Sequence, residues 1–382
     1  MSAPIPFNRP YLTGRELDYI RDAIETRSLS GEGPFTAKCQ SLLEQRFGIG
    51  KTMLTPSCTS ALEMAAMLCG FGPGDEVILP SFTFTSTANA FIHFGAKPVF
   101  VDVRHDTLNI DDNLIERAIT PYTRAIFPVH YAGVACEMDP ILEVAAKYKL
   151  LVVEDAAQGV NAFYKGRALG SIGQFGAYSF HVTKNFIAGE GGALCINAHD
   201  QGETIERAEI VREKGTNRNR FIRGEVDKYT WVDIGSSFIP SEIVSAFLLA
   251  QLEGIDDITA RRSAAYDFYM QSLAPLQDKE LIRLPVIPKH CASNFHAFYI
   301  ILPSNRTRDL LQIHLRTKQI YASFHYIPLH SSPMGSKYGW KEGDLPVTED
   351  LSSRLLRLPF FNEISIGDQS RVVEEISSFL VG

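Results

Sequence analysis

Leu150-Leu151-Val152-Val153, running straight into Glu154-Asp155-Ala156-Ala157-Gln158, is the stretch on which the fold turns. Four successive apolar residues leave no polar position to face water, so the segment suits a strand in a sheet covered on both sides. Val77-Ile78-Leu79, Pro98-Val99-Phe100-Val101 and Ala125-Ile126-Phe127 read the same way. Helical patterns separate them. One follows Thr59, with Leu62, Ala65, Ala66 and Cys69 at helical spacing. Another opens at Asp139-Pro140, an N-cap followed by Pro at the first helical position, and runs to about Lys149. Strand alternating with helix implies an α/β fold with a largely parallel sheet. Ligands of such sheets lie beyond the carboxyl ends of the strands, which is where Asp155 falls. A lone strand-end Asp is more often an ordinary helix N-cap or surface acid.

Outward from this stretch, the rhythm breaks between residues 173 and 196. Short strands at 176–181 and 193–196 flank Gly189-Glu190-Gly191-Gly192, and a glycine-rich loop there invites a functional reading. A helix-forming segment from Pro240 past Arg262 to Tyr269 leads to a second unit. In it, residues 298–302, a helix over 307–317, residues 320–325 and 355–358, and a last helix over 368–380 give a smaller α+β layer. The expected division is a large α/β domain over 1–250 and a small α+β C-terminal domain over 251–382.

Composition narrows the class. The 382 residues are 45% hydrophobic and carry 37 Lys+Arg against 44 Asp+Glu, a formal charge of −7, so no overall positive field attracts nucleic acid. The six cysteines form no CxxC pair and no zinc spacing, so no metal site is expected. Residues 1–11 lack a basic stretch followed by an apolar one, and no apolar run reaches about 18 residues. The expectation is a cytoplasmic protein with reduced thiols.

The chemistry concentrates near Asp155. Lys184 lies in Ser179-Phe180-His181-Val182-Thr183-Lys184-Asn185, between two apolar strands and beside the glycine-rich loop. Most lysines are solvated, but one held there with its amine partly desolvated has a lowered pKa and forms Schiff bases. A buried carboxylate and a Schiff-base lysine are what pyridoxal 5'-phosphate (PLP) demands: the acid keeps the pyridine nitrogen protonated, and the amine holds the aldehyde carbon. Ser57-Cys58-Thr59-Ser60-Ala61, at the start of a predicted helix, offers hydroxyls and backbone N–H groups to a phosphate, and is also an ordinary capping sequence. Phe82 or Phe84 could stack on a ring, or both could belong to the core. Arg207, Arg212, Lys214, Arg218, Arg220, Arg223 and Lys228 gather positive charge suited to a pyrophosphate, although Glu206, Glu209, Glu213 and Glu225 lie among them.

The order Thr59-Ser60, Phe84, Asp155-Ala156-Ala157-Gln158, Ser179-Phe180-His181, Lys184-Asn185 and Gly189-Glu190-Gly191-Gly192 resembles the DegT/DnrJ/StrS family of sugar-nucleotide aminotransferases, from about Pro6 to the C-terminus. The resemblance implies a fold-type-I PLP-dependent transferase, similar to aspartate aminotransferase. By position it implies Lys184 as the Schiff-base lysine and general acid/base, Asp155 as partner of the pyridine nitrogen, and Gln158 as contact to the ring hydroxyl. Thr59, Ser60 and Ser179 would hold the phosphate, and Phe84 would stack on the ring. It also implies a homodimer with shared active sites, in which a neighbouring loop contributes an Asn from a Gly-Tyr-Asn-Tyr-Arg stretch. Here Gly235-Ser236-Ser237-Phe238-Ile239 puts Ser237 at the Asn position and Ile239 at the Arg position.

Residues 54–64, 129–139, 212–218, 227–238 and 324–330 are similar to family members that move the amino group of L-glutamate to C4 of dTDP-4-keto-6-deoxyglucose. The product of those members, dTDP-4-amino-4,6-dideoxygalactose, serves surface polysaccharides such as lipopolysaccharide, the O-antigen and enterobacterial common antigen. This similarity implies Arg212, Lys214, Arg218, His325, Tyr326 and His330 as substrate-binding residues. Dehydratases of the same family carry His at the lysine position, so Lys184 argues against that chemistry. A regulator that binds cofactor or sugar nucleotide without turnover is the reading from another class, and the chain shows no helix-turn-helix module to support it.

Overall fold

The computed structural model describes residues 3–27, 29–198 and 201–382. Its centre is a seven-stranded sheet in the order Lys51–Thr55, Gly192–Ile196, Phe175–Ser179, Leu151–Asp155, Thr123–Ile126, Glu76–Pro80, Lys97–Val101. Gly192–Ile196 pairs antiparallel with both of its neighbours, and every other pairing is parallel. The apolar runs of the sequence have their cause here. Ile78, Ile126 and Val152 enter one core, while Val77, Leu79, Ala125 and Val153 enter the core on the other face. Alternate residues of each strand are thus buried on opposite sides. Helix Met138–Tyr148 covers the first face through Ile141 and Ala145, and helix Cys58–Cys69 covers the second through Leu62, Ala65 and Ala66.

Local details differ from the sequence reading in several places. Strand Lys51–Thr55 was not anticipated; only its pairing with Gly192–Ile196 makes it one. Asp139 lies inside the first turn of its helix, with Glu137 in the cap position, and its carboxylate pairs with Lys165 at 2.7 Å and with Arg167 instead of capping. The long helix breaks at Gly254 into Glu242–Glu253 and Ile255–Asp278. Residues 320–325 make isolated bridges, Ile5 to Ile320 and Ser323 to Arg357, where a strand was expected.

The C-terminal unit has a two-stranded antiparallel sheet, Tyr299–Ile301 with Leu355–Arg357. Helices Asn305–Thr317 and Ile366–Val381 pack with it around Tyr269, Leu273, Phe298, Ile300, Leu315 and Ile376. Ile5 is buried in this same core, so the start of the chain is shared with its end. Among the described residues no helix is long and apolar enough to cross a membrane.

Candidate active site

Strand Leu151–Asp155 delivers two adjacent acids to opposite sides. Glu154 is fully buried and spent on the scaffold: it accepts from the N–H groups of Gly170, Ile172 and Gly173 at 2.7–2.9 Å, and His130 Nε2 lies 2.9 Å away. Asp155 opens onto a cavity of about 620 Å³ that Lys184 also lines. Its Oδ2 accepts from the Thr87 hydroxyl at 2.6 Å and its Oδ1 from the Ala157 N–H at 3.1 Å. Thr87 is held in turn by Thr83 at 2.8 Å.

Lys184 stands on a loop closed by three backbone bonds: Phe180 to Gly191, Val182 to Gly189 and Ala188 to Phe180, at 2.7–2.8 Å. Gly189 takes φ of +79° to make the return. Burial pulls the Lys184 pKa below its ordinary value and the charge of Arg357 adds to this, against the opposing influence of Cys58 and Asp155. The neighbouring Asn185 fixes the loop to the C-terminal unit. Its Nδ2 donates to the Asn294 carbonyl at 2.7 Å, so its Oδ1 must accept the Nδ1–H of His296 at 2.9 Å. Burial, then the charges of Lys184, Arg262 and Arg357, hold His296 neutral with its pKa well below the ordinary range.

Helix Cys58–Cys69 begins at the same cavity, capped by the Ser57 hydroxyl accepting from the Ser60 N–H at 3.1 Å. Ser57, Cys58, Thr59 and Ser179 line the cavity, with the Thr59 hydroxyl 2.7 Å from that of Ser86. Ser60 is not among the lining residues; its hydroxyl is 3.1 Å from Ser57 Oγ, so it serves the cap. Gly192 explains how closely the chain passes: a Cβ there would lie 2.4 Å from the Cys58 nitrogen. The two phenylalanines separate. Phe82 is buried against Tyr131 and Tyr326, at centroid distances of 4.9 and 5.5 Å, whereas Phe84 lines the cavity and is 58% exposed.

Gln158 lines the cavity, accepts from the Ala132 N–H at 2.7 Å and donates to the Tyr326 hydroxyl at 3.1 Å. His325 and Tyr326 line it too. Burial, then Arg357 and Lys184, push the His325 pKa down, and its Nδ1 is 3.2 Å from the Tyr131 hydroxyl.

The other expected substrate residues are not brought to this cavity. His330 is fully buried, with Nδ1 2.7 Å from the Ser81 hydroxyl and Nε2 2.8 Å from Glu349, so both ring nitrogens are used by the chain. Arg212 is buried and pairs with Glu32 at 3.0 Å. Lys214 and Arg218 face Glu213 at 3.0 and 3.8 Å. Arg207, Arg220 and Arg223 pair with Asp233, Glu206 and Glu209 within 3.3 Å, so acids inside or beside this basic segment offset its charge. Ser237 is exposed, outside the lining of its own subunit's cavity, and bridges to Glu213.

Arg357, Arg262, His296 and Phe7 line the cavity and were not anticipated. The one local signal was an Arg interrupting the apolar Leu355-Leu356-Arg357-Leu358.

The residues fit PLP. A desolvated amine, a hydrogen-bonded carboxylate and a helix N-terminus open to an anion converge on one cavity of adequate size. Comparison with known proteins agrees. The Bacillus subtilis spore coat polysaccharide biosynthesis protein SpsC is 33% identical over 386 residues, covering 99% of this chain and 97% of its own. GDP-perosamine synthase of Caulobacter vibrioides is 33% identical over 378 residues, 97% of each chain. Among solved structures, Streptococcus pneumoniae Spr1654 in its PLP-form superposes with a TM-score of 0.91 at 27% identity, covering 99% of this chain and 98% of its own. The fold is that of the fold-type-I PLP-dependent transferases, and the cofactor is pyridoxal 5'-phosphate. Residues 10–377 match the sequence model of the DegT/DnrJ/EryC1/StrS aminotransferase family, and the chain belongs to that family.

Proposed function

We propose that this aminotransferase takes the amino group of L-glutamate and delivers it to C4 of dTDP-4-keto-6-deoxyglucose, forming dTDP-4-amino-4,6-dideoxygalactose for surface polysaccharide synthesis in the cytoplasm, and that it acts as a homodimer. The observation that carries the reading is the meeting of Lys184 and Asp155 in one cavity, the amine desolvated and the acid held by Thr87 and Ala157. When bound, PLP supplies a carbonyl carbon to carry nitrogen between substrates and a ring that withdraws electrons from the reacting carbon. Asp155 presents its charge to the ring nitrogen. Ser57, Cys58, Thr59 and Ser179 receive the phosphate with hydroxyl and backbone groups at the helix start. Lys184, biased toward the neutral amine, takes the proton from the donor carbon that bears nitrogen.

Similarity to GDP-perosamine synthase and to a spore coat polysaccharide protein supports a nucleotide-linked sugar as acceptor. The similarity of residues 212–218 and 324–330 to family members that form dTDP-4-amino-4,6-dideoxygalactose supports the dTDP-linked 4-keto sugar and the axial amine. The test is a panel of nucleotide keto sugars incubated with holoenzyme and L-glutamate. The expected product is a dTDP-linked 4-amine whose H4 shows small proton couplings to both H3 and H5. Large couplings on both sides would mean the equatorial epimer. Turnover only of a 3-keto or UDP-linked sugar would replace the acceptor while leaving the cofactor site intact. A cofactor absorption band unmoved by every amino acid would favour the non-catalytic binding protein.

A further inference from the structure

Residues 293–298 join the short strand Cys291–Ala292 to Tyr299–Ile301 without regular secondary structure, yet Asn294, His296, Ala297 and Phe298 are all buried. An irregular segment stays buried only where its polar groups find partners. From helix Ile255–Asp278, Arg262 donates to the carbonyls of Phe295 and His296 at 2.9 and 2.7 Å. Toward the large unit, Asn294 Nδ2 donates to the carbonyls of Gln158 and Val160 at 2.8 and 2.7 Å, and the Asn294 carbonyl accepts from Asn185 Nδ2 at 2.7 Å. Phe295 is held at a φ of +55°, in the left-handed region that a bulky residue enters only when its surroundings compel it.

His296 completes the tie. Asn185 has one acceptor, Oδ1, 2.9 Å from His296 Nδ1, so the ring carries its proton on Nδ1. The neutral tautomer leaves a lone pair on Nε2, and among the described residues no group donates to it. His296 lines the same cavity as Lys184, Arg262 and Arg357, a costly place for an imidazole. Holding two units together does not require it, since replacing both partners of a buried hydrogen bond by apolar groups of the same shape costs little. What apolar packing lacks is direction. A hydrogen bond fixes where the Asn185 amide sits, and Lys184 is the preceding residue. The Lys184 N–H donates to the His181 carbonyl at 2.8 Å, and the next anchor along this loop is the Asn185 side chain.

We propose that His296 is a positioning residue for Lys184: its Nδ1–H orients the Asn185 amide, and that amide sets the backbone from which the lysine reaches the donor carbon. The inference rests on the aminotransferase reading above for what the lysine does.

The test uses three variants. His296→Asn places an amide donor where Nδ1 stands, His296→Gln places its amide where Nε2 stands, and Asn185→Ala removes the acceptor. Exchange of the L-glutamate α-hydrogen in D2O by holoenzyme reports the proton step. The rate at which apoprotein takes up PLP at Lys184 needs no turnover. His296→Gln and Asn185→Ala should each slow the exchange about 100-fold, the scale of a misplacement of about 1 Å, with KM for L-glutamate held within about two-fold. Both should slow PLP uptake as well. His296→Asn should recover most of each loss, and Asn185→Ala combined with His296→Gln should be no slower than either alone. Nitrogen-15 NMR of histidine-labelled wild type should show the His296 ring protonated on Nδ1 only. Equal losses in His296→Asn and His296→Gln, additive losses in the double variant, or a proton on Nε2 would each overturn the proposal. Better function in His296→Gln than in His296→Asn transfers the role to the cavity-facing Nε2 and overturns it too. Should the His296 variants fail to fold, Asn185→Ala decides alone: slowed exchange at an unchanged melting temperature supports the tie, and unslowed exchange rejects it. If the wild type exchanges hydrogen with no amino acid, the functional reading fails, yet PLP uptake still decides. Uptake slowed by His296→Gln and restored in His296→Asn supports the positioning role, and equal uptake in both rejects it.

Discussion

At the scale of single residues, the site divides by how far apart in sequence its members lie. Asp155, Gln158, Ser179 and Lys184 fall between the end of strand Leu151–Asp155 and the loop after strand Phe175–Ser179, so their chemistry could be read from a short stretch. Arg357 and His296 reach the same cavity from the C-terminal unit, and no local pattern announces a contact made across more than a hundred residues. Lys184→Ala should keep the fold and abolish turnover by a factor above about 1,000, because no other lysine lies in the loop between Ser179 and Gly192. Borohydride reduction that fixes the cofactor to another lysine would disprove the assignment. Asp155→Asn should slow turnover at least about 100-fold with little change in melting temperature, since the amide cannot keep a ring nitrogen protonated. Charge also sets a pH dependence. Burial, with Arg357 adding to it, holds the Lys184 amine below 10.5, so more neutral amine is present at a given pH than in a solvated lysine. Cofactor uptake by apoprotein should therefore rise with pH around a midpoint below 10.5, and Arg357→Gln should move that midpoint upward.

Between elements, what was legible followed burial. The parallel strands announce themselves because both faces are covered, whereas Lys51–Thr55, with its mixed Lys51-Thr52-Met53-Leu54-Thr55, needs its partner strand to be recognised. The same limit misplaced His330. The family resemblance implied a substrate ligand, but the structure uses it to tie Ser81, just past the end of strand Glu76–Pro80, to Glu349 in helix Pro346–Arg354. His330→Ala should cost about 2–4 kcal/mol through two lost hydrogen bonds and a cavity, read by denaturant unfolding, with unchanged KM for both substrates in the folded fraction. Burial raises the Glu349 pKa, but the bonds from His330 and the Gly343 N–H outweigh it and hold the carboxyl below 4.5. Stability from this tie is thus complete above the ordinary carboxylate range and lost as pH falls through the lowered value. The variant should accordingly show a shallower loss of stability on acidification than the wild type. A raised KM without loss of stability would return His330 to the substrate site.

At the scale of the whole molecule, one surface does not suit a monomer. Between helix Arg218–Ile222 and Pro240 the chain exposes Ile222 at 61%, Tyr229 at 53%, Trp231 at 77%, Val232 at 49% and Ile234 at 69%. Exposed apolar side chains clustered in this way mark interaction surfaces. Arg212, buried beneath the segment, keeps Nε and one terminal nitrogen unpaired, and Ser237 stands exposed beside it rather than at its own cavity. In the proposed homodimer, a second copy related by a two-fold axis would cover the apolar residues and bring each Ser237 toward the other subunit's site. Ile234→Glu should therefore shift the protein from dimer to monomer in sedimentation velocity and lower cofactor retention in the same samples. Ser237→Ala should leave the dimer intact and weaken cofactor binding only about five-fold, since one hydroxyl–phosphate bond among several contributes about 1 kcal/mol. The two variants separate the interface from the contact it delivers: loss of cofactor on dissociation but not on Ser237→Ala means that other interface groups complete the cradle. A monomeric Ile234→Glu protein with full activity would show instead that each subunit builds its site alone, and the exposed apolar segment would then need another occupant.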